Sequence, residues 1–194
     1  MFSDLANLSS DLHQPAHRAL AEHWLDLYYA EGRRIPALQA IDPLRLGRFL
    51  PDICILDHEA DDGFRFRLAG ETVIELYGCD IRRRLLDEVV PQPSLDRYRA
   101  LAHTILEQPA GLLHGLSGML PAWNYSIALE RLSLPLAGHD GRLRHIISAT
   151  VLSRPGDAVS GEFQHLYAIP QRRPADDSAG DGLPLRMQSP PPAP

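Results

Sequence analysis

Phe64-Arg-Phe-Arg-Leu-Ala-Gly70-Glu-Thr-Val-Ile-Glu-Leu-Tyr77-Gly78 changes its period at Gly70. Before Gly70, apolar and basic residues alternate, with Phe64, Phe66 and Leu68 on one side and Arg65 and Arg67 on the other. That is the pattern of a half-buried strand. After it, Glu71 to Tyr77 reads as a compact helix, and Gly78 can take the left-handed conformation that closes it. Upstream, Ile53 to Asp57 reads as a strand, and the acidic turn Glu59 to Gly63 joins the two into a hairpin. Asp42-Pro43 starts a short helix, because the Asp side chain can accept from free N–H groups and Pro needs no N–H at the first position. Pro51 stops it. Ile81 to Val90 is a short helical or irregular piece, and Pro91 and Pro93 break the chain. Nothing between Asp42 and Val90 has the look of catalytic machinery.

Beyond Pro93 the pattern is helical and then extended. Ser94 caps a helix to about Glu107, with Tyr98, Leu101, Ala102, Ile105 and Leu106 on its buried face. Leu112 to Met119, Trp123 to Ala137 and Arg142 to Ser153 read as strands, the last two joined by the turn Gly138-His139-Asp140-Gly141. Gly111, Gly115 and Gly118 in the first of these suggest a bulge or a close backbone approach. Ile146-Ile147-Ser-Ala-Thr-Val151 is apolar on both faces, so the last strand is central. Two strands, several helices and three antiparallel strands make an α+β fold: a five-stranded antiparallel sheet with the helices on one face. Phe163 to Ile169 can add a last docked turn or strand. From Pro170 onward 7 of 25 residues are Pro, too poor a composition to bury a core.

An N-terminal amphipathic helix precedes the sheet. Pro15 suits its first turn, Ala16, Leu20, Trp24, Leu27 and Tyr28 recur at helical spacing, and Gly32 ends it. Two destinations are open for this stripe: its own domain, or a second copy of the chain, which makes Leu20, Trp24, Leu27 and Tyr28 candidates for a dimer helix. The chain divides into a helical extension at 1–36, a folded domain at 37–155 and a mostly disordered Pro-rich tail at 156–194.

The totals exclude much. Apolar residues are 44% and charged residues 23% of 194, with a formal net charge of -6 and no basic stripe, so nucleic acid is not an expected partner. All 19 basic residues are Arg, which rules out a Schiff-base or P-loop lysine. Cys54 and Cys79 stand apart in apolar surroundings, so a C-x-x-C site is out and both are expected to be reduced and buried. The N-terminus lacks a signal-peptide pattern and no segment reaches ~18 apolar residues. The expectation is a cytoplasmic protein that does not cross a membrane.

The ordered set Trp24, Ile35-Pro36, Ile41-Asp42-Pro43, Phe49-Leu50-Pro51, Leu56-Asp57, Phe66-Arg67-Leu68-Ala69-Gly70 and Tyr77-Gly78 resembles the PAS_5 family, a bacterial family of short stand-alone PAS domains. The resemblance covers about residues 20 to 155. It departs from the expected pattern at Arg82-Arg83-Arg84, where a Thr-Gly pair is expected. It implies a PAS fold with a cavity between sheet and helices, and use in regulation. It names no ligand. The resulting expectation is a non-enzymatic signal-transduction module that acts by protein–protein contact, as a homodimer through its N-terminal helix or on an unidentified protein, with a small molecule in the cavity as modulator. A haem- or flavin-binding sensor is the alternative.

Strand alternation and helix phase nominate the cavity side chains: Phe64, Phe66, Leu68, Tyr77, Tyr98, Tyr125, Ile127, His145 and Ile147. Each has the competing role of filling the core. Haem would take His103 on the long helix, but at ~100° per residue that ring lies roughly 140° from Tyr98, away from the cavity. No H-E-x-x-H motif occurs among the nine His, and a metal site needs three or four converging ligands. Ser117, Asp140 and His145 follow the order of a hydrolase triad, yet the G-x-S-x-G elbow is absent, so no catalytic residue is assigned. Arg82 to Arg84 is read as a solvated charged face, with anion capture as the alternative.

Overall fold

The structure, a computed structural model, describes residues 2–61, 63–92, 94–119, 126–153 and 163–171. Alternating sequence produces the strands β1 (Phe2–Asp4), β2 (Ile53–His58), β3 (Phe64–Ala69), β4 (Ala110–Met119), β5 (Ser126–Ala137), β6 (Leu143–Ser153) and β7 (Phe163–Ala168). They join one sheet in the order β1-β7-β4-β5-β6-β2-β3. The five expected strands are the contiguous run from β4 to β3. β7 and β1 lengthen it to seven, because β7 pairs antiparallel with β4 and the N-terminus returns to pair parallel with β7. The strand built on Ile146 and Ile147 is an inner one, flanked by β5 and β2.

The helices are α1 (Leu8–Asp11), α2 (Pro15–Ala30), α3 (Pro43–Leu46), α4 (Glu71–Tyr77) and α5 (Ser94–Glu107). Asp42 caps α3 as its chemistry implies, accepting from the Leu44 N–H at 2.9 Å. Gly78 closes α4 at φ 68°, the left-handed conformation for which Gly has no steric cost. Gly70 is required for a different reason. A Cβ there would lie 2.3 Å from the Pro51 carbonyl oxygen, so the β3–α4 corner can pack on the preceding loop only without a side chain.

The helices between the strands were expected on one face, and α4 and α5 lie there. The N-terminal helix, whose destination was open, takes the other. α4 and α5 lie over the face carrying Cys54, Leu56, Phe64, Phe66, Leu112 and Ile146. The stripe of α2 lies over the other face, on Leu132, Leu134, Leu136, Ile147 and Ala149. Leu20, Trp24 and Tyr28 are therefore core residues of their own domain, at most 1% exposed. Of the four dimer-helix candidates only Leu27 keeps a half-exposed side chain. The Trp24 indole N–H donates to the Pro135 carbonyl at 2.9 Å, in the stretch of β5 beyond the end of its pairing with β4. Trp24 also stacks on Tyr28, whose hydroxyl donates to the Pro170 carbonyl. Tyr167 of β7 donates to Asp11 at 2.8 Å, so residues before α2 are tied to the sheet edge.

A bulge changes which side chains of β3 face inward. Leu56 opposes Phe66 but Ile55 opposes Leu68, which leaves Arg67 as an inserted residue. One inserted residue reverses the side-chain parity beyond it. Phe64, Phe66 and Ala69 are buried, while Leu68, expected beside the two Phe, is turned away and 40% exposed. The glycines of β4 produce no register shift against β5. Gly115 instead admits the Phe163 ring, 2.4 Å from where its Cβ would be. Cys79 is exposed, against the expectation that both cysteines are buried. The tail beyond residue 171 and the segment 154–162 lie outside the described residues.

Replacing Trp24 by Ala removes a fully buried ring and its hydrogen bond, and is expected to cost about 3–5 kcal/mol of unfolding free energy. Urea titration followed by circular dichroism reads this directly. A midpoint unchanged from wild type would mean that α2 is not seated on the sheet.

Candidate functional site

The inner face of the sheet, under α5, is polar at its centre. This follows from strand parity. β5 turns Leu132, Leu134 and Leu136 toward α2, so Arg131 and Ser133 must point the other way. β6 does the same with Ile147 and Ala149 against Ser148 and Thr150. Register then aligns these groups in rows. His114, Arg131 and Thr150 stand opposite one another on β4, β5 and β6. The next row is Leu112, Ser133, Ser148 and Cys54.

Each polar member is nearly out of water, with Arg131 and His114 both 3% exposed. Arg131 Nε donates to Thr150 Oγ1 at 2.8 Å, and the guanidinium carbon sits 5.2 Å from the centre of the Tyr98 ring. The Ser133 and Ser148 hydroxyls bond each other at 2.8 Å. Burial pushes the Tyr77 hydroxyl and the Cys54 thiol up, and the nearby Arg131 charge opposes both shifts. No carboxylate pairs with Arg131 among the described residues. His114 has no hydrogen-bond partner on either ring nitrogen among the described residues. Burial, with the charges of Arg97 and His17 adding to it, lowers its pKa to about 4, so the ring is neutral near pH 7. A neutral imidazole has one donor and one acceptor. Both are left unused here.

These groups border a cavity of about 20 Å³, room for about one water. Tyr98, Leu101, Ala102 and Ile105 of α5 wall it opposite Arg131 and His114.

The sequence-nominated side chains divide. Tyr98 lines this cavity, and Tyr77 and Phe66 pack beside it with ring centres 5.9 Å apart. Phe64 lies in the same core, stacked on His58. Leu68 is outside, for the reason given. His145 and Ile147 face α2 rather than the cavity, and His145 Nδ1 lies 2.7 Å from Asp57 Oδ1. Asp57 also accepts from Arg67 at 2.8 Å; burial raises its pKa, but these two hydrogen bonds outweigh it and the net shift is downward. Tyr125 lies outside the described residues, and only the backbone of Ile127 lies within them. Sequence reasoning missed Arg131, Ser133, Ser148 and Thr150, and noted His114 only as a strand residue.

No catalytic constellation forms around these groups. His145 is engaged by Asp57, while Asp140 holds Arg144 at 2.7 Å, so the hydrolase order in the chain is not a triad in space. The described residues contain no cluster of three or more metal-ligating side chains. The cavity bordered by these described residues holds about one water with α5 seated, less than a haem macrocycle or an isoalloxazine ring occupies. His103 packs edge-on against Phe64 and His58, with ring centres 5.1 and 5.4 Å away, at the flank of the sheet. The Arg run is also engaged. Arg82 pairs with Asp80 at 2.6 Å, Arg84 donates to the Glu88 carbonyl, and the backbone of residues 83 and 84 bonds Phe66 on the edge of β3.

The PAS_5 profile, described as a PAS domain, matches residues 12–150. Among solved structures the chain is similar to a variant of RsLOV, at 14% identity over 57% of this chain and 65% of that one, with a TM-score of 0.43. It is similar to the PAS domain of Bordetella pertussis BvgS, at 16% identity over 60% and 90%, with a TM-score of 0.41. An RNA-binding light-oxygen-voltage receptor is similar at 14% identity over 76% and 52%, with a TM-score of 0.42. The chain thus spans about two thirds of the first of these proteins and half of the third. No curated protein matches.

Two buried histidines set a pH dependence. His17 of α2, 0% exposed, lies against the backbone of Glu130 and Ala149 without a hydrogen bond of normal geometry, and burial lowers its pKa to about 4, like that of His114. The unfolded chain takes up a proton on each ring near pH 6.5, which the folded chain refuses until about pH 4. Stability is therefore level above pH 7 and falls as pH drops from 6.5 to 4, by up to about 3 kcal/mol per ring. Urea midpoints across this range check it, with His17→Gln and His114→Gln each expected to flatten the slope. Equal midpoints at pH 7 and pH 5 would contradict the assignment.

Proposed function

The chain belongs to the PAS_5 family of PAS domains, and we propose that it is a sensory module whose input is a small molecule held between the sheet and α5, and whose output is non-enzymatic contact with another protein. One observation carries this reading: His114 and Arg131 are buried beside a cavity, the first with neither ring nitrogen hydrogen-bonded and the second with no carboxylate partner among the described residues. An unsatisfied buried polar group costs about 1–3 kcal/mol, so a fold that keeps the His114 ring unpaired beside a buried guanidinium has a use for both. A bound molecule that completes their hydrogen bonds is such a use.

Output follows from the position of α5, which walls the cavity with one face and meets water with the other. Occupancy can shift its seating only by the difference in affinity between seated and displaced states. Cytoplasmic location belongs to the same proposal; among the described residues no helix is long and apolar enough to cross a membrane. A second copy is the first partner to examine. Trp24 is committed to the core, so a dimer through α2 would use its outward side, where Tyr29 is 54% exposed beside Leu27.

Two measurements address this. Light scattering of the purified chain should give a dimer mass that becomes monomeric on combined Leu27→Glu and Tyr29→Glu substitution; an unchanged mass removes the α2 contact. Capture of partners from the source cytoplasm should differ between wild type and Ala102→Phe, which wedges α5 away from the sheet. Identical sets on both baits would end the claim that α5 carries the signal.

A further inference from the structure

We propose that the molecule held in this cavity is a short monocarboxylic acid, bound through Arg131. The inference rests on the reading of the cavity as the input site and adds the chemistry of its occupant. Arg131 supplies a permanent positive charge, because a guanidinium stays protonated even when buried. Its Nε donates to Thr150 and the Tyr77 hydroxyl lies against the guanidinium, but both partners are neutral and no carboxylate answers the charge among the described residues. Tyr98 covers the guanidinium face and holds its plane. A planar fork matches the two oxygens of a carboxylate.

The remaining groups restrict the acid further. His114 is neutral, and its unused donor is available to a ligand oxygen. Ser133 and Ser148 add hydroxyls but no charge. One net positive charge suits a single negative one; a phosphate dianion would keep charge unpaired in a buried place, which is costly. Opposite Arg131, the side chains of Leu101, Ala102 and Ile105 offer apolar contact to a carbon tail.

The size of the void adds a consequence. With room for about one water, the seated form excludes even a tail of two or three carbons, so the acid enters only as α5 yields. Binding and displacement of α5 are then one event.

Thermal shift and calorimetry with sodium acetate, propionate and butyrate test this, against equal sodium chloride and against the neutral propionamide and butyramide. The expected result is saturable stabilisation by at least one acid, none by chloride, and at least tenfold weaker binding of the matching amide. Arg131→Gln should weaken the acid by about tenfold or more. Should that variant fail to fold, His114→Phe keeps the charge and removes the imidazole donor, and should also weaken the acid. An amide that binds as well as its acid overturns the carboxylate assignment while leaving the cavity as an input site. Unchanged acid affinity in His114→Phe overturns the location. No saturable response to any of the three acids overturns the proposal, while the partner comparison above stands or falls separately.

Discussion

The seat of Trp24 on the sheet governs the rest of the molecule. With its indole N–H on the Pro135 carbonyl and its ring over β5 and β6, α2 turns one face of the sheet into a dry apolar contact. Leu132, Leu134, Leu136, Ile147 and Ala149 are all 0% exposed there. Side chains alternate along a strand, so committing these residues to α2 sends Arg131, Ser133, Ser148 and Thr150 to the opposite face. A slip of one residue in β5 would place Arg131 beneath Trp24, where nothing could solvate or pair it. The apolar face thereby fixes the register, and the register assembles the polar row.

The two polar clusters of the protein differ in what completes them. On the α2 side, Asp57 lies at the end of β2 and bonds both His145 and Arg67, so its charge is answered within the chain. Under α5, Arg131 meets only neutral hydroxyls, of Thr150 and Tyr77, and an aromatic face, and His114 bonds nothing among the described residues. The exposed ion pairs, such as Arg82 with Asp80, are the kind that contribute little to stability. Electrostatic consequence is therefore concentrated under α5, where water does not screen it.

The elements were legible because their signals are local: the change of period at Gly70, the Asp42 cap, the turn at 138–141. What was not legible depends on layers. Arg-Leu-Ser-Leu at 131–134 alternates as a strand with one wet face would, and nothing within those four residues says that both faces are dry. The hint lay elsewhere, in β6, whose Ile146 and Ile147 require cover on both sides. Combining that hint with the apolar stripe of α2 would have put Arg131 inside. Leu68 was misplaced because a bulge has no composition of its own; Phe-Arg-Phe-Arg-Leu alternates perfectly until the register slips at Arg67. His145 and Ile147 were assigned to the cavity because the strand's parity is visible in sequence while the face that meets each helix is not.

The same asymmetry decides which helix is free to respond. α2 rests on five side chains with no water contact, and displacing it would expose apolar area at roughly 25 cal/mol per Å². α5 rests partly on hydroxyls, an imidazole and a guanidinium, groups that regain hydration when the helix lifts, so the net cost of lifting it is lower for the same area. Its buried apolar side chains, Leu95, Ala102, Ile105 and Leu106, run from one end to the other, while Tyr98 between them touches the guanidinium. A fold that needs one rigid and one yielding layer obtains both here from the parity of two adjacent strands.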